Sequence, residues 1–173
     1  MGRKWPGPEI PTGGTLLPKD IYDLTIEQIE ETHANAGTLM YKGTFRVVEP
    51  TAFVGSPYWE NFNIGSTDDP NAEDPETWKR SIGAQILGRV IDAALVPRTD
   101  DVDADIAAAT GQRILASIEQ EIETKEGPYK GRVRNKVVRW YKRGEAAVGS
   151  ATKPAPGTAA ALLAKPATAA PKA

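Results

Sequence analysis

Apolar and polar residues alternate from Asp20 onward, in the two-residue rhythm of a half-buried strand. Tyr22, Leu24 and Ile26 fall on one side, and Ile29 then breaks the phase by one residue. A bulge accounts for the break and helps a strand coil around a small barrel. Asn35-Ala36-Gly37 supplies turn residues. Beyond it, Leu39, Tyr41, Phe45 and Val47 point one way and Met40, Lys42, Thr44 and Arg46 the other, which predicts a long second strand over residues 38–48. Gly43 lies inside it, where a sharp bend is tolerated. A third strand is predicted over residues 58–64, with Tyr58, Phe62 and Ile64 on one face and Trp59, Asn61 and Asn63 on the other. Asp74-Pro75-Glu76 is a helix start: an N-cap Asp, a proline at the first helical position, and an acid near the positive end of the dipole. Trp78, Ile82, Ile86, Val90 and Ala94 follow at intervals of four, which predicts one helix with that stripe buried, ended by Pro97. Alternation returns in Ile114, Ala116, Ile118 and Ile122, set against Leu115, Ser117, Glu119 and Glu121. After the turn Glu126-Gly127-Pro128, residues 131–141 read as a fifth strand, rich in β-branched, aromatic and basic side chains.

The order is strand, strand, strand, helix, strand, strand. It predicts a mainly β fold, a five-stranded OB-fold barrel with a helix between strands 3 and 4. An SH3-like barrel or an α+β sandwich uses the same elements, but the long second strand and the helix position favour the OB arrangement. The 173 residues suit one domain with tails. Residues 1–18, rich in Pro and Gly around Trp5, are expected to be a flexible N-terminal arm, and residues 19–144 the folded domain. Residues 145–173 are Ala/Pro/Thr/Lys-rich, without aromatics, and are expected to be a disordered tail.

The chain has no cysteine and a single histidine, His33. A disulfide framework, a thiolate zinc site and a multi-histidine metal cluster are therefore excluded. No Walker loop and no nucleophile-elbow serine occur, so no enzyme activity and no cofactor are expected. The acidic residues 100–105 superficially resemble a cation loop. Counting from Asp101, however, the sixth position is Ile106 and the twelfth Gln112, where an EF-hand needs Gly and Glu. They read as a solvated loop, as do Asp68, Asp69 and Glu73. No secretory signal and no membrane-length apolar run is evident, which leads to an expected cytoplasmic location and no membrane partner.

Charge changes the picture. Residues 1–123 carry 10 Lys+Arg against 21 Asp+Glu, and residues 124–173 carry 11 against 2, so the net −2 conceals halves of −11 and +9. Such asymmetry suits a polyanion partner, or self-association of unlike halves into a homodimer. Seven cations, Lys130, Arg132, Arg134, Lys136, Arg139, Lys142 and Arg143, fall within fourteen residues, interleaved with Tyr129, Trp140 and Tyr141. In a strand Arg132, Arg134 and Lys136 share a face. A row of charges tracks phosphates while neighbouring rings stack on unpaired bases. Lys42, Arg46 and Trp59 fall on outward positions of strands 2 and 3. Tyr129 and Lys130 fall in or beside the loop between strands 4 and 5, and both regions line the usual OB groove. The candidate site is thus Lys42, Arg46, Trp59, Tyr129, Lys130, Arg132, Arg134 and Lys136. The competing account is an edge strand guarded by Lys and Arg against aggregation, with Trp140 and Tyr141 as core.

Several segments also resemble the OB-fold single-stranded DNA-binding proteins of bacteriophages. They are Gly43-Thr-Phe45-Arg-Val-Val-Glu49, Phe62-Asn-Ile64-Gly65, the helix after Pro75, and Gly127-Pro-Tyr-Lys-Gly-Arg-Val-Arg-Asn-Lys-Val-Val-Arg-Trp-Tyr141. The resemblance covers about residues 20–143. It implies sequence-independent binding of single-stranded DNA, with RNA as the alternative strand, in phage replication or recombination. It also implies replication or recombination proteins as partners, in the host cytoplasm. The basic tail departs from the acidic, partner-recruiting tail of many such proteins. The rivals are an OB-type accessory or structural protein that binds another protein, and a metal-dependent nuclease using the residue 100–105 carboxylates.

Overall fold

The computed structural model describes residues 16–151. Most of the predicted arm (residues 1–15) and most of the predicted tail (residues 152–173) lie outside them. The described chain is mainly β. Five strands, β1 (Asp20–His33), β2 (Leu39–Glu49), β3 (Pro57–Asn63), β4 (Arg113–Ile122) and β5 (Val133–Tyr141), form one antiparallel sheet in the order β3-β2-β1-β4-β5. Three helices, α1 (Pro75–Arg80), α2 (Ile82–Ala93) and α3 (Val102–Ala109), sit between β3 and β4.

β1 is the pivot. Its first part pairs with β4 from Asp20 to Thr25, and its later part with β2 from Asp23 to His33. The register slips between Ile26 and Gln28, leaving Glu27 as the extra residue, where the broken apolar phase called for a bulge. A long bulged strand that changes partner makes the sheet coil, so its inner face closes over Tyr22, Leu24, Ile26, Phe45, Val47, Phe62, Ile114 and Ile118. Gly43 makes room for the inner rings: a Cβ there would lie 2.8 Å from the Phe45 ring and 3.0 Å from that of Phe62.

The sheet does not close. No backbone ladder joins β3 to β5, so the closed barrel expected from the element order is replaced by an open, strongly coiled sheet. Its two edges nevertheless face each other. Trp140 of β5 reaches Phe45 and Tyr58, at ring separations of 5.1 and 6.4 Å. The Val137 N–H donates to the Tyr58 hydroxyl at 3.2 Å. A bulge in β5 makes the Trp140 contact feasible. Ser117 faces Arg139 and Ile118 faces Val137, leaving Val138 unpaired and exposed and returning Trp140 to the inner phase.

The single helix read from the four-residue spacing is in fact two. Ser81 takes an extended conformation (φ −70°, ψ 122°), its side chain accepts from the Ala84 N–H, and its hydroxyl donates to the Asn63 carbonyl of β3. Of the predicted stripe only Ile82 is turned out, 73% exposed, while Val90 and Ala94 stay buried and Leu87 and Ile91 join them. Trp78 is half-buried, donating its indole N–H to the Ala72 carbonyl and lying 6.2 Å from the Tyr41 ring.

Of the acidic residues 100–105, Asp100, Asp101 and Asp103 are exposed as expected of a solvated stretch, but Asp103 and Asp105 lie in the first turn of α3 and Asp105 is buried. Asp101 caps the helix, and buried Asp105 accepts from both the N–H and the hydroxyl of Thr99. Likewise Asp69 accepts from the N–H groups of Glu73 and Asp74 and from the Thr77 hydroxyl, which holds its carboxyl below the usual range.

Both described ends dock on the sheet. Leu17 is fully buried, and its backbone is clasped by Asn135, which accepts from its N–H at 2.8 Å and donates to its carbonyl at 2.7 Å, with Gln120 donating to the same carbonyl. Gly149 donates to the Ile21 carbonyl, and the Ala151 N–H to Asp20.

Candidate functional site

The two free edges leave a groove between them, with a volume of about 810 Å³. β3 contributes Trp59, Glu60, Asn61 and Asn63 to its lining. β5 and the turn before it contribute Tyr129, Arg132, Arg134, Asn135 and Lys136, and Leu16 and Glu123 are also in the lining. Alternation dictates this composition. Inward positions of β3 and β5 are spent on Tyr58, Phe62, Val137 and Trp140, so Trp59, Arg134 and Lys136 face outward beside the opening.

Five of the eight residues singled out from the sequence meet here: Trp59, Tyr129, Arg132, Arg134 and Lys136. Trp59 is 44% exposed and Tyr129 61% exposed, so both rings offer area to a ligand. The Arg132 guanidinium lies 5.3 Å from the Tyr129 ring centroid, a cation–π contact that orients both groups.

The other three lie elsewhere. Lys42 stands on the exposed side of β2, in register with Glu30 of β1 and Asn61 of β3, one strand away from the groove. Arg46 is engaged in holding β1 to β2: its guanidinium meets both carboxylate oxygens of Glu27 at 2.8 Å and donates to the Gly55 carbonyl at 2.9 Å. That hydrogen bond holds the Glu27 carboxyl below its ordinary value. Lys130 pairs with Glu126 within the β4–β5 turn and does not line the groove.

Carboxylates are part of the site. Glu121 accepts from Lys136 at 3.0 Å and from Arg134 at 3.0 and 3.2 Å, and these bonds hold it below the usual carboxylate range. Glu123 lies 3.6 Å from Arg134. The cause is register: Glu121 faces Arg134 and Glu119 faces Lys136 across the β4–β5 ladder. The signal was present in the alternation of Glu119, Glu121 and Glu123, which share a face opposite the basic row.

Glu60 is a second overlooked acid. It occupies an inward phase of β3 and receives the Tyr58 hydroxyl at 2.5 Å. Burial pushes its carboxyl up, against the pull of Tyr58, the Asn61 N–H, Arg134 and Lys136. Burial and then Glu60 push the Tyr58 hydroxyl up as well. Tyr58 therefore stays neutral, donating to Glu60 and accepting from Val137.

No protein-family model matches the sequence, and no curated protein is significantly similar to it.

The metal-dependent nuclease rival relies on the carboxylates of residues 100–105. Among the described residues no group of three or more His, Cys, Asp or Glu side chains is arranged to hold a metal ion. The Asp101 and Asp105 carboxylates are engaged in capping and clasping α3. Among the described residues no helix is long and apolar enough to cross a membrane.

Proposed function

We propose that this chain binds single-stranded DNA without sequence preference and without catalysis, on an OB-like sheet whose β3–β5 groove receives the strand. The observation that carries the reading is the convergence of Trp59 with Tyr129, Arg132, Arg134 and Lys136, from strands some seventy residues apart, on one open groove. Exposed rings beside fixed cations are what a flexible polyanion with stackable bases requires, and every base offers a π-face. The resemblance of its segments to phage single-stranded DNA-binding proteins points the same way and would make phage replication or recombination the setting. The coiled five-strand sheet with its helices between β3 and β4 is compatible with an OB relative whose last seam is left open.

The test is a fluorescence-anisotropy titration of a labelled 30-mer single strand and of its duplex, at low and moderate salt. Preferential, salt-sensitive binding of the single strand with tryptophan quenching is expected. No binding at micromolar protein overturns the reading.

One observation favours a second reading. Arg134 and Lys136 each have a carboxylate partner, and β3 and β5 are both unpaired edges. An extended segment of another protein adding to either edge would use backbone hydrogen bonds rather than charge. That reading gains if the chain ignores DNA yet protects its β3 and β5 amides from exchange on binding a protein partner.

A further inference from the structure

We propose that Glu121, assisted by Glu123, is an internal stand-in for a backbone phosphate that restrains strand binding in the β3–β5 groove. The proposal rests on the single-strand reading above and says how that site is regulated.

One Glu121 carboxylate spans two cations: Oε1 takes Lys136 at 3.0 Å and Oε2 takes Arg134 at 3.0 Å. Two oxygens sharing a negative charge, each held by a different cation, is the contact pattern that a phosphodiester's two non-bridging oxygens would make. Glu123 adds a weaker contact to Arg134 at 3.6 Å. The ladder sets this arrangement, because Glu121 sits directly across from Arg134. Glu121 is also more sheltered than its partners, with about a third of its side chain exposed against more than half for Arg134 and Lys136. The two cations are thus more open to solvent, and to an arriving phosphate, than the carboxylate that holds them.

Two consequences follow. The cations are held in place before a strand arrives, which lowers the entropy cost of binding. The charge of Arg134 and Lys136 is also already matched, so binding remains salt-sensitive but with a shallower slope than the row of basic residues alone would give. An arriving phosphate must displace the carboxylate or share its cations with it. Binding is therefore weaker and more readily reversed than the row of basic residues implies.

The measurement is the salt dependence of anisotropy for a labelled oligo-dT 30-mer with the wild-type chain, Glu121→Gln and Glu123→Gln, each checked for folding by circular dichroism. Removing the Glu121 charge frees two cations, so the log K against log salt slope should steepen by up to about 1.4, with affinity at low salt rising on the order of tenfold. Glu123→Gln should move both quantities in the same direction by less. If the wild type binds and both variants bind equally or more weakly with unchanged slope, Glu121 only positions the cations and the proposal is overturned while the single-strand reading stands. If neither the wild type nor the variants bind, the reading of the groove itself falls.

Discussion

At the scale of single residues, the groove separates side chains that offer themselves to a ligand from those held by the fold. Trp59 is the clearest of the first kind: it is partly exposed at the groove, while the rings of Phe45, Tyr58 and Trp140 stack among themselves without it. Stacking on one base contributes about 1–3 kcal/mol. Trp59→Ala should therefore weaken single-strand binding by roughly 5- to 150-fold while leaving the thermal midpoint nearly unchanged, as read by anisotropy and by circular dichroism. Glu60 is of the second kind. Its folded-state carboxyl lies above its ordinary 4.5 because of burial. Between the two values the native state binds more proton than the unfolded one, so stability falls as pH rises from 4.5 through the folded value. Glu60→Gln should flatten that part of the stability–pH curve, measured by urea denaturation at a series of pH values; an unchanged curve would show that burial of Glu60 is not felt.

At the scale of elements, the junction of α1 and α2 shows how a local break sets packing. Ser81 both caps α2 and ties it to β3 through the Asn63 carbonyl. Ser81→Ala should cost about 1–2 kcal/mol, the usual loss for a cap. Gly83 is a harder constraint, because a Cβ there would lie 2.2 Å from the Asn63 carbonyl oxygen and 2.4 Å from its nitrogen. Backbone cannot yield as a side-chain tip can. Gly83→Ala should therefore destabilise more than Ser81→Ala, even though alanine is the better helix former, in paired chemical denaturation experiments. The reverse order would mean that α2 slides freely over β3. The buried Asp23 carboxylate, held by Arg113 of β4, likewise ties β1 to its neighbour across the core edge.

At the scale of the whole molecule, the coiled sheet depends on segments that lie outside its strands. Leu17 precedes β1, yet it is fully buried against Gln120 and Asn135. Leu17→Ala should cost about 2–5 kcal/mol, as for other buried leucines, in a urea titration. A loss below 0.5 kcal/mol would show that the folded unit starts at β1, as the Pro/Gly composition of the arm led one to expect.

Alternation within a few residues was enough to read the five strands, the faces of β2 and β3 and the β1 bulge, but not the ends of β4, where Ile122 is exposed and Leu115 buried. Which face of β5 is outward was left open by its pattern, and the structure decides it, placing Arg134 and Lys136 on the exposed side as it does Trp59 of β3. The sequence did not reveal the helix break, because a four-residue spacing reads the same through Ser81 as through any polar residue, and only the Asn63 carbonyl gives that serine its second bond. Capping hid α3 as well: Asp101 and Asp105 look like loop acids until Thr99 is seen to bind one of them. Whether β3 meets β5 in a ladder is a matter of coiling summed over the whole sheet, and no short window carries it. The charge of the groove is likewise a tertiary fact. Seven clustered cations promise a strongly positive surface, but the β4–β5 pairing brings Glu121 against both Arg134 and Lys136, and pairing across strands rather than composition decides how much of that charge remains for a ligand.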